Sequence, residues 1–147
     1  MRYLLDTNVI SDIAGCCAGN AENFNNKFQS LPNSAFAISA VTDFELGVGL
    51  LLLAKSDKFS KDQKSRLTNR TNDMRSSCEV LPVTVETVRE ATMIQQFCIE
   101  HGISLSLSDA LIAGHAVQHD MTLVSHDRRA FAQIPASLLK WEDWHED

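Results

Sequence analysis

The chain has 147 residues, 44% of them hydrophobic and 22% charged, with a net charge of −6. A chain of this length buries roughly 68–70% of its unfolded surface and needs no disulfide or metal staple, so one domain over residues 1–147 is expected and disordered, collagen-like and disulfide-scaffold classes are excluded. The longest apolar run, residues 48–54, falls far short of the ~20 residues that cross a bilayer. Asp6 interrupts any signal-peptide core. The expectation is a cytoplasmic protein with no membrane association. Cys16, Cys17, Cys78 and Cys98 show no C-x-x-C spacing and read as reduced thiols.

In chain order, Tyr3-Leu4-Leu5 is a short apolar run ending at Asp6 and reads as a buried strand. Residues 7–14 form a short helix broken by Gly15 and Gly19, and residues 23–30 a second one closed by Pro32. Residues 35–39 read as strand two. Thr42 then caps a helix, with Glu45 at the reciprocal capping-box position, and that helix runs through the leucines at 50–53. Residues 55–77 are polar, helical in composition and free of Gly and Pro. Residues 78–83 are strand three. Residues 84–101 are helical and stop at His101-Gly102, a usual C-terminal pattern. Ser106 or Ser108 caps a helix to about His119, residues 122–125 are strand four, 128–133 a helical turn, and 138–141 a last strand. Apolar rather than alternating strands, separated by helices, predict an α/β fold with a parallel sheet covered on both faces.

Net acidity argues against a uniformly basic nucleic-acid surface. The charge is unevenly spread, however. Residues 55–75 hold seven basic groups (Lys55, Lys58, Lys61, Lys64, Arg66, Arg70, Arg75) against three acids, a local +4 that leaves −10 elsewhere. Such a run is either a solvated helix face or a basic arm beside an acidic pocket.

Four acids stand out by position. Asp6 directly follows strand one and Asp127 lies two residues beyond strand four, at the carboxyl edge where open α/β sheets bind ligands. Glu45 shares a helical face with Val41, Val48, Gly49 and Leu52, and Asp109 shares one with Ile112, Ala113 and Ala116 in the first turn of its helix. Each acid has an ordinary explanation: a cap for Asp6, the capping box for Glu45, the helix dipole for Asp109, and a turn for Asp127. None of these explains four carboxylates at one sheet edge. Clustered carboxylates repel, and a hard divalent cation such as Mg²⁺ or Mn²⁺ resolves the repulsion while pairing with phosphate. The residues therefore point to metal-dependent phosphoryl transfer or phosphodiester cleavage. No Walker or dinucleotide glycine motif is present, and no Ser-His-Asp or Cys-His grouping is evident.

Four motifs carry a resemblance. They are Leu4-Leu5-Asp6-Thr7-Asn8-Val9-Ile10, the run Ile38-Ser39-Ala40-Val41-Thr42-Asp43-Phe44-Glu45-Leu46-Gly47-Val48-Gly49, then Leu107-Ser108-Asp109-Ala110-Leu111-Ile112-Ala113, and Leu123-Val124-Ser125-His126-Asp127-Arg128-Arg129-Ala130-Phe131. In order and spacing they resemble the PIN-domain ribonucleases, and within them the VapC-type toxins of bacterial toxin–antitoxin pairs. The resemblance spans essentially the whole chain. It implies a PIN-like sheet of about five parallel strands and Mg²⁺- or Mn²⁺-dependent endonucleolytic hydrolysis of RNA to 5′-phosphate and 3′-hydroxyl ends. It further implies a homodimer and a small antitoxin that plugs the site. Residue by residue, Asp6, Glu45, Asp109 and Asp127 become the catalytic and metal-holding acids, with Thr7, Asn8 and Ser125 in support. Where the family often carries Asn followed by an acid three positions on, this chain has Asp127 and Ala130, so Asp127 takes the fourth-acid role alone. The stretch 50–77 matches no motif, and a phosphate-holding role for Lys58, Lys61 and Lys64 is a separate expectation.

Competing readings are weaker. His115 and His119 sit four apart with His126 nearby, a spacing that can bind zinc, but no Cys or Glu partner falls at the usual offsets. Trp141 and Trp144 suit packing better than base stacking, and the leucines at 50–53 suit a core or dimer surface better than a membrane contact. A dehalogenase-like phosphatase wants D-x-D where Asn8 stands, and a receiver domain wants paired N-terminal acids and a later lysine. The alternative from another class is a non-catalytic PIN-like module that binds RNA or a protein partner. The same nuclease fold could also serve RNA processing or act on DNA; small size favours the toxin.

Overall fold

The computed structural model describes residues 1–15 and 21–145. Strand β1 (Tyr3–Leu5) leads into helix α1 (Thr7–Gly15), α2 (Ala21–Gln29), β2 (Phe36–Ser39), α3 (Ala40–Lys55) and α4 (Lys61–Ser77). Then follow β3 (Glu79–Leu81), α5 (Val85–Glu100), α6 (Leu107–Gln118), β4 (Thr122–Val124), α7 (Arg128–Phe131) and β5 (Trp141–Glu142). The strands form one five-stranded sheet in the order β3-β2-β1-β4-β5. Every pairing is parallel, with Tyr3 opposite both Phe36 and Thr122. The α/β class and the strand count read from the sequence are borne out. Cys16 and Cys17, and the Gly19 break, lie outside the described residues.

Side chains leave a strand alternately to its two faces, and this divides the core. Leu4, Ala37, Leu81 and Leu123 pack with Ala91, Ile94, Cys98, Ile112, Ala113 and Phe131 on one face. Tyr3, Leu5, Phe36, Ile38 and Val124 pack with Val9, Ile10, Phe24, Leu46 and Trp144 on the other. Cys78 and Cys98 are free thiols buried on opposite faces. On the first face α5 and α6 meet so closely that a Cβ at Gly114 would lie 2.6 Å from Thr87 O and 2.8 Å from Ala91 N. Helix α5 ends as the sequence predicts: Gly102 takes φ +68°, with Ile103 N–H donating to Cys98 O at 2.8 Å.

Several local details differ from the sequence reading. Ser39, not Thr42, caps α3, its hydroxyl accepting from Val41 N–H at 3.0 Å, so Glu45 is not a capping-box acid. The hydroxyl on the last residue of β2 wins because the chain turns into helix directly off the strand. The polar stretch 55–77 is divided at residues 56–60, where Ser60 and Gln63 form a reciprocal capping box that opens α4. Strand β5 lies at Trp141–Glu142 rather than 138–141, since its register is set by Leu123 opposite Trp141. The apolar face shared by Glu45 is largely solvent-exposed, with Val48 at 37% and Leu52 at 66%. A 16-residue helix is about 24 Å long, whereas strands of three or four residues reach about 10–13 Å. The second half of α3 therefore overhangs the sheet, and its buried residues are Thr42 and Leu46. Among the described residues, no helix is long and apolar enough to cross a membrane.

Candidate active site

In this strand order β1 lies at the centre, with the chain passing to β2 on one side and returning as β4 on the other. The carboxyl ends of β1 and β4 thus flank a topological switch point, the crevice in which such sheets bind ligands. Asp6 N–H still donates to Val124 O at 3.0 Å, so Asp6 stands at the last rung of the ladder.

Asp6 is 4% exposed, and every fixture around it is a hydrogen-bond donor. Ser125 Oγ–H donates to Asp6 Oδ2 at 2.7 Å and Thr7 N–H to Asp6 Oδ1 at 2.7 Å. Ser125, fully buried, also accepts from Asp127 N–H at 3.1 Å, and so ties the first and fourth acids to one hydroxyl. Burial pushes the Asp6 carboxyl up to about 6; the two donors oppose this, while the charges of Asp109 and Glu45 add to it. Glu45 comes in from α3, where Thr7 Oγ1–H donates to Glu45 Oε1 at 2.7 Å, and Thr42 Oγ1 lies 3.3 Å from the same hydroxyl. Asn8 Oδ1 accepts from His126 N–H at 3.4 Å, which holds the turn after β4 against the start of α1.

Asp109 sits in the first turn of α6, whose cap is Ser106: Asp109 N–H donates to Ser106 Oγ at 3.1 Å. Its carboxyl is raised above the ordinary carboxylate range, chiefly by burial and further by the charges of Asp127 and Glu45. Asp127 opens α7 without making a side-chain cap bond, so the turn role suggested for it does not occupy its carboxylate. Asp109 and Asp127 line a cavity of about 570 Å³ with Ser104, Ser106, His126, Arg128 and Arg129.

All four acids predicted from the sequence therefore meet at one sheet edge, and Thr7, Asn8 and Ser125 each bond to the framework around them. The acids form a ring wide enough that no three of their oxygens lie within 4.8 Å of one another. Their donor set is all hard oxygen, and two of its members are destabilised as anions. This is the environment a divalent cation relieves.

The histidines fall elsewhere than their spacing indicates. His115 is wholly buried, its Nδ1 2.9 Å from Ser39 Oγ and its Nε2 2.9 Å from Pro82 O. Both nitrogens are engaged, and His115 braces the serine that caps α3. Trp144 is buried against Tyr3 and Phe24, as expected for packing, and Trp141 Nε1–H donates to Ser125 O at 3.1 Å. Of the basic segment, Arg75 pairs with Asp43 at 2.7 Å and Lys64 Nζ donates to Ala54 O at 3.1 Å, so both serve the α3–α4 junction. Lys58 and Lys61 are exposed.

A parallel β3-β2-β1-β4-β5 sheet with acids after β1 and β4 and on the helices that follow β2 and precede β4 is the arrangement of a PIN domain. The PIN domain family pattern matches residues 3–136, and the chain belongs to that family. Within it, the chain is similar to the ribonuclease VapC2 of Rickettsia felis, 26% identical over 145 residues that make up 98% of both chains. It is also similar to chains solved in FitAcB from Neisseria gonorrhoeae (25% identity, 97% of each chain, TM-score 0.77). A DNA-bound VapBC from Salmonella typhimurium gives 26% identity over 98% of each chain, with a TM-score of 0.70.

Proposed function

We propose that the protein is a metal-dependent endoribonuclease, hydrolysing RNA phosphodiester bonds as the toxin of a toxin–antitoxin pair, and that it works as one PIN-like domain over residues 1–147 in the cytoplasm. The observation that carries this reading is the meeting of Asp6, Glu45, Asp109 and Asp127 at the switch point, with Asp6 buried and its carboxyl raised to about 6. The similarity to a ribonuclease over nearly the full chain, and to the solved VapBC complex, supports the nuclease and a cognate antitoxin partner.

In this reading Asp6, Glu45, Asp109 and Asp127 hold Mg²⁺ or Mn²⁺. Such an ion supplies charge neutralisation at the scissile phosphate and acidifies the attacking water. The protein's own part is orientation. The Ser125 and Thr7 donors fix the Asp6 carboxylate while each of its oxygens keeps a lone pair for the pocket. Thr7 likewise fixes Glu45, and Asn8 fixes the turn that carries Asp127. In-line attack of water on phosphorus breaks the bond to the 3′ oxygen and leaves 5′-phosphate and 3′-hydroxyl ends. Lys58 and Lys61, exposed beyond the overhanging end of α3, hold flanking phosphates.

The protein acts as a homodimer. The groove between α5 and α6, about 480 Å³ and lined by Val88, Ile99, Leu107 and Leu111, is the apolar surface that a second copy covers. Leu107 there is 75% exposed. The test is incubation of purified protein, freed of antitoxin, with a mixed cellular RNA pool in EDTA, Mg²⁺ or Mn²⁺. Cleavage with metal and none in EDTA is expected; cleavage that persists in EDTA overturns the mechanism.

A further inference from the structure

The turn leaving β4 and the segment leaving β5 are brought together by strand register. Val124 pairs with Glu142, so His126, two residues beyond one, meets Asp143 and His145, one and three residues beyond the other. His126 Nδ1 lies 2.9 Å from Asp143 Oδ1. The His126 and His145 rings lie against each other, their centroids 3.3 Å apart at 60°. One ligand atom from each of the three residues lies within 4.8 Å of the others, the only such set of three among the described residues.

The set is held from behind. Arg128 Nη1–H donates to Asp143 Oδ2 at 3.3 Å and His145 N–H to Asp143 Oδ1 at 3.0 Å. Phe24 packs against both imidazoles, at 6.4 Å and 6.0 Å, and the side chains of His126 and Asp143 are 14% and 7% exposed. Two imidazoles and one carboxylate, shielded and converging, are the donor set of a three-ligand zinc site with its fourth position open. It differs in kind from the acid ring, which offers only oxygen. The nitrogen-rich set favours borderline ions in the order Co²⁺ < Zn²⁺ < Cu²⁺ and discriminates against Mg²⁺.

We propose that His126, Asp143 and His145 form a second metal site, for Zn²⁺ or a similar borderline ion. It cross-links the turn that carries Asp127 to the segment after β5. The inference does not depend on the nuclease reading, because its donors and its readout are separate.

The experiment titrates EDTA-stripped, dialysed full-length protein with Co²⁺ as a spectroscopic probe for Zn²⁺. One equivalent of Co²⁺ should give the intense visible d–d bands of a low-coordinate, nitrogen-bearing site. Excess Mg²⁺ should leave those bands in place and Zn²⁺ should abolish them. Asp6→Asn should retain them. His145→Gln and, independently, Asp143→Asn should weaken Co²⁺ binding at least about tenfold, with unchanged far-ultraviolet circular dichroism confirming that each variant is folded. Zn²⁺ should raise the melting temperature of the parent protein and not that of His145→Gln. Absence of the bands, equal Co²⁺ affinity in both folded variants and the parent, or loss of the bands in Asp6→Asn would each overturn the proposal.

Discussion

Asp6→Asn should make the metal-free protein more stable, although the residue is buried and fully hydrogen-bonded. The Asp6 carboxyl sits at about 6 in the folded chain against an ordinary 3.8, with burial the largest cause. A folded state that binds a proton more tightly than the unfolded chain loses stability as pH rises through that interval. The interval from 3.8 to about 6 corresponds to about 3 kcal/mol, fully felt above pH 6 and absent below about pH 4. Asn is close in shape to the protonated acid and carries no charge, so it escapes the penalty. In EDTA at pH 7.5 the variant should melt about 6–12 °C higher than the parent, at about 2–4 °C per kcal/mol for a chain of this size. At pH 4 the two should nearly coincide. Adding Mg²⁺ should stabilise the parent, by about 2.7 kcal/mol at a hundredfold excess over the dissociation constant, and the variant less. Thermal unfolding followed by circular dichroism at the two pH values, with and without metal, reads all of this. A variant less stable than the parent at pH 7.5, or a difference independent of pH, would refute the claim that Asp6 is an anion held against its own burial.

Gly114→Ala puts a methyl 2.6 Å from Thr87 O and should destabilise the α5–α6 contact by about 1–3 kcal/mol, measured by chemical denaturation. Lys58→Ala with Lys61→Ala should reduce the slope of log affinity for single-stranded RNA against log salt by about 1.4, measured with an inactive Asp109→Asn background; an unchanged slope removes the arm from RNA binding. Leu107→Glu, on the exposed lip of the α5–α6 groove, should convert the dimer to monomer by light scattering, with its circular dichroism unchanged.

The candidate site was legible because its signals are local. Asp6 ends an unbroken apolar run, and Asp127 follows another at two residues' distance. Strand ends in a parallel sheet share one edge, so the meeting of these acids follows from fold class alone. The end of α5 was equally local, since Gly102 supplies the positive φ that the turn requires. Competition between neighbours was not legible. Ser39 and Thr42 are both competent caps, and only the exact end of β2 decides between them. The overhang of α3 was hidden because periodicity reports which residues share a face, not whether the sheet extends far enough to cover it. The split at Ser60 was marked by its own capping box with Gln63, a signal that the absence of Gly and Pro obscured. The His126–Asp143–His145 cluster lay beyond reach because 17 residues separate His126 from Asp143, and register alone joins them.

The central claim is tested most directly by the ends of the products. A defined RNA cut by the purified protein in Mg²⁺ should yield 5′-phosphate and 3′-hydroxyl termini. The yield should fall to background in EDTA and in both Asp6→Asn and Asp109→Asn, while each variant remains folded. Cyclic-phosphate or 3′-phosphate ends, or full cleavage by either variant, would contradict hydrolysis at the four-carboxylate site.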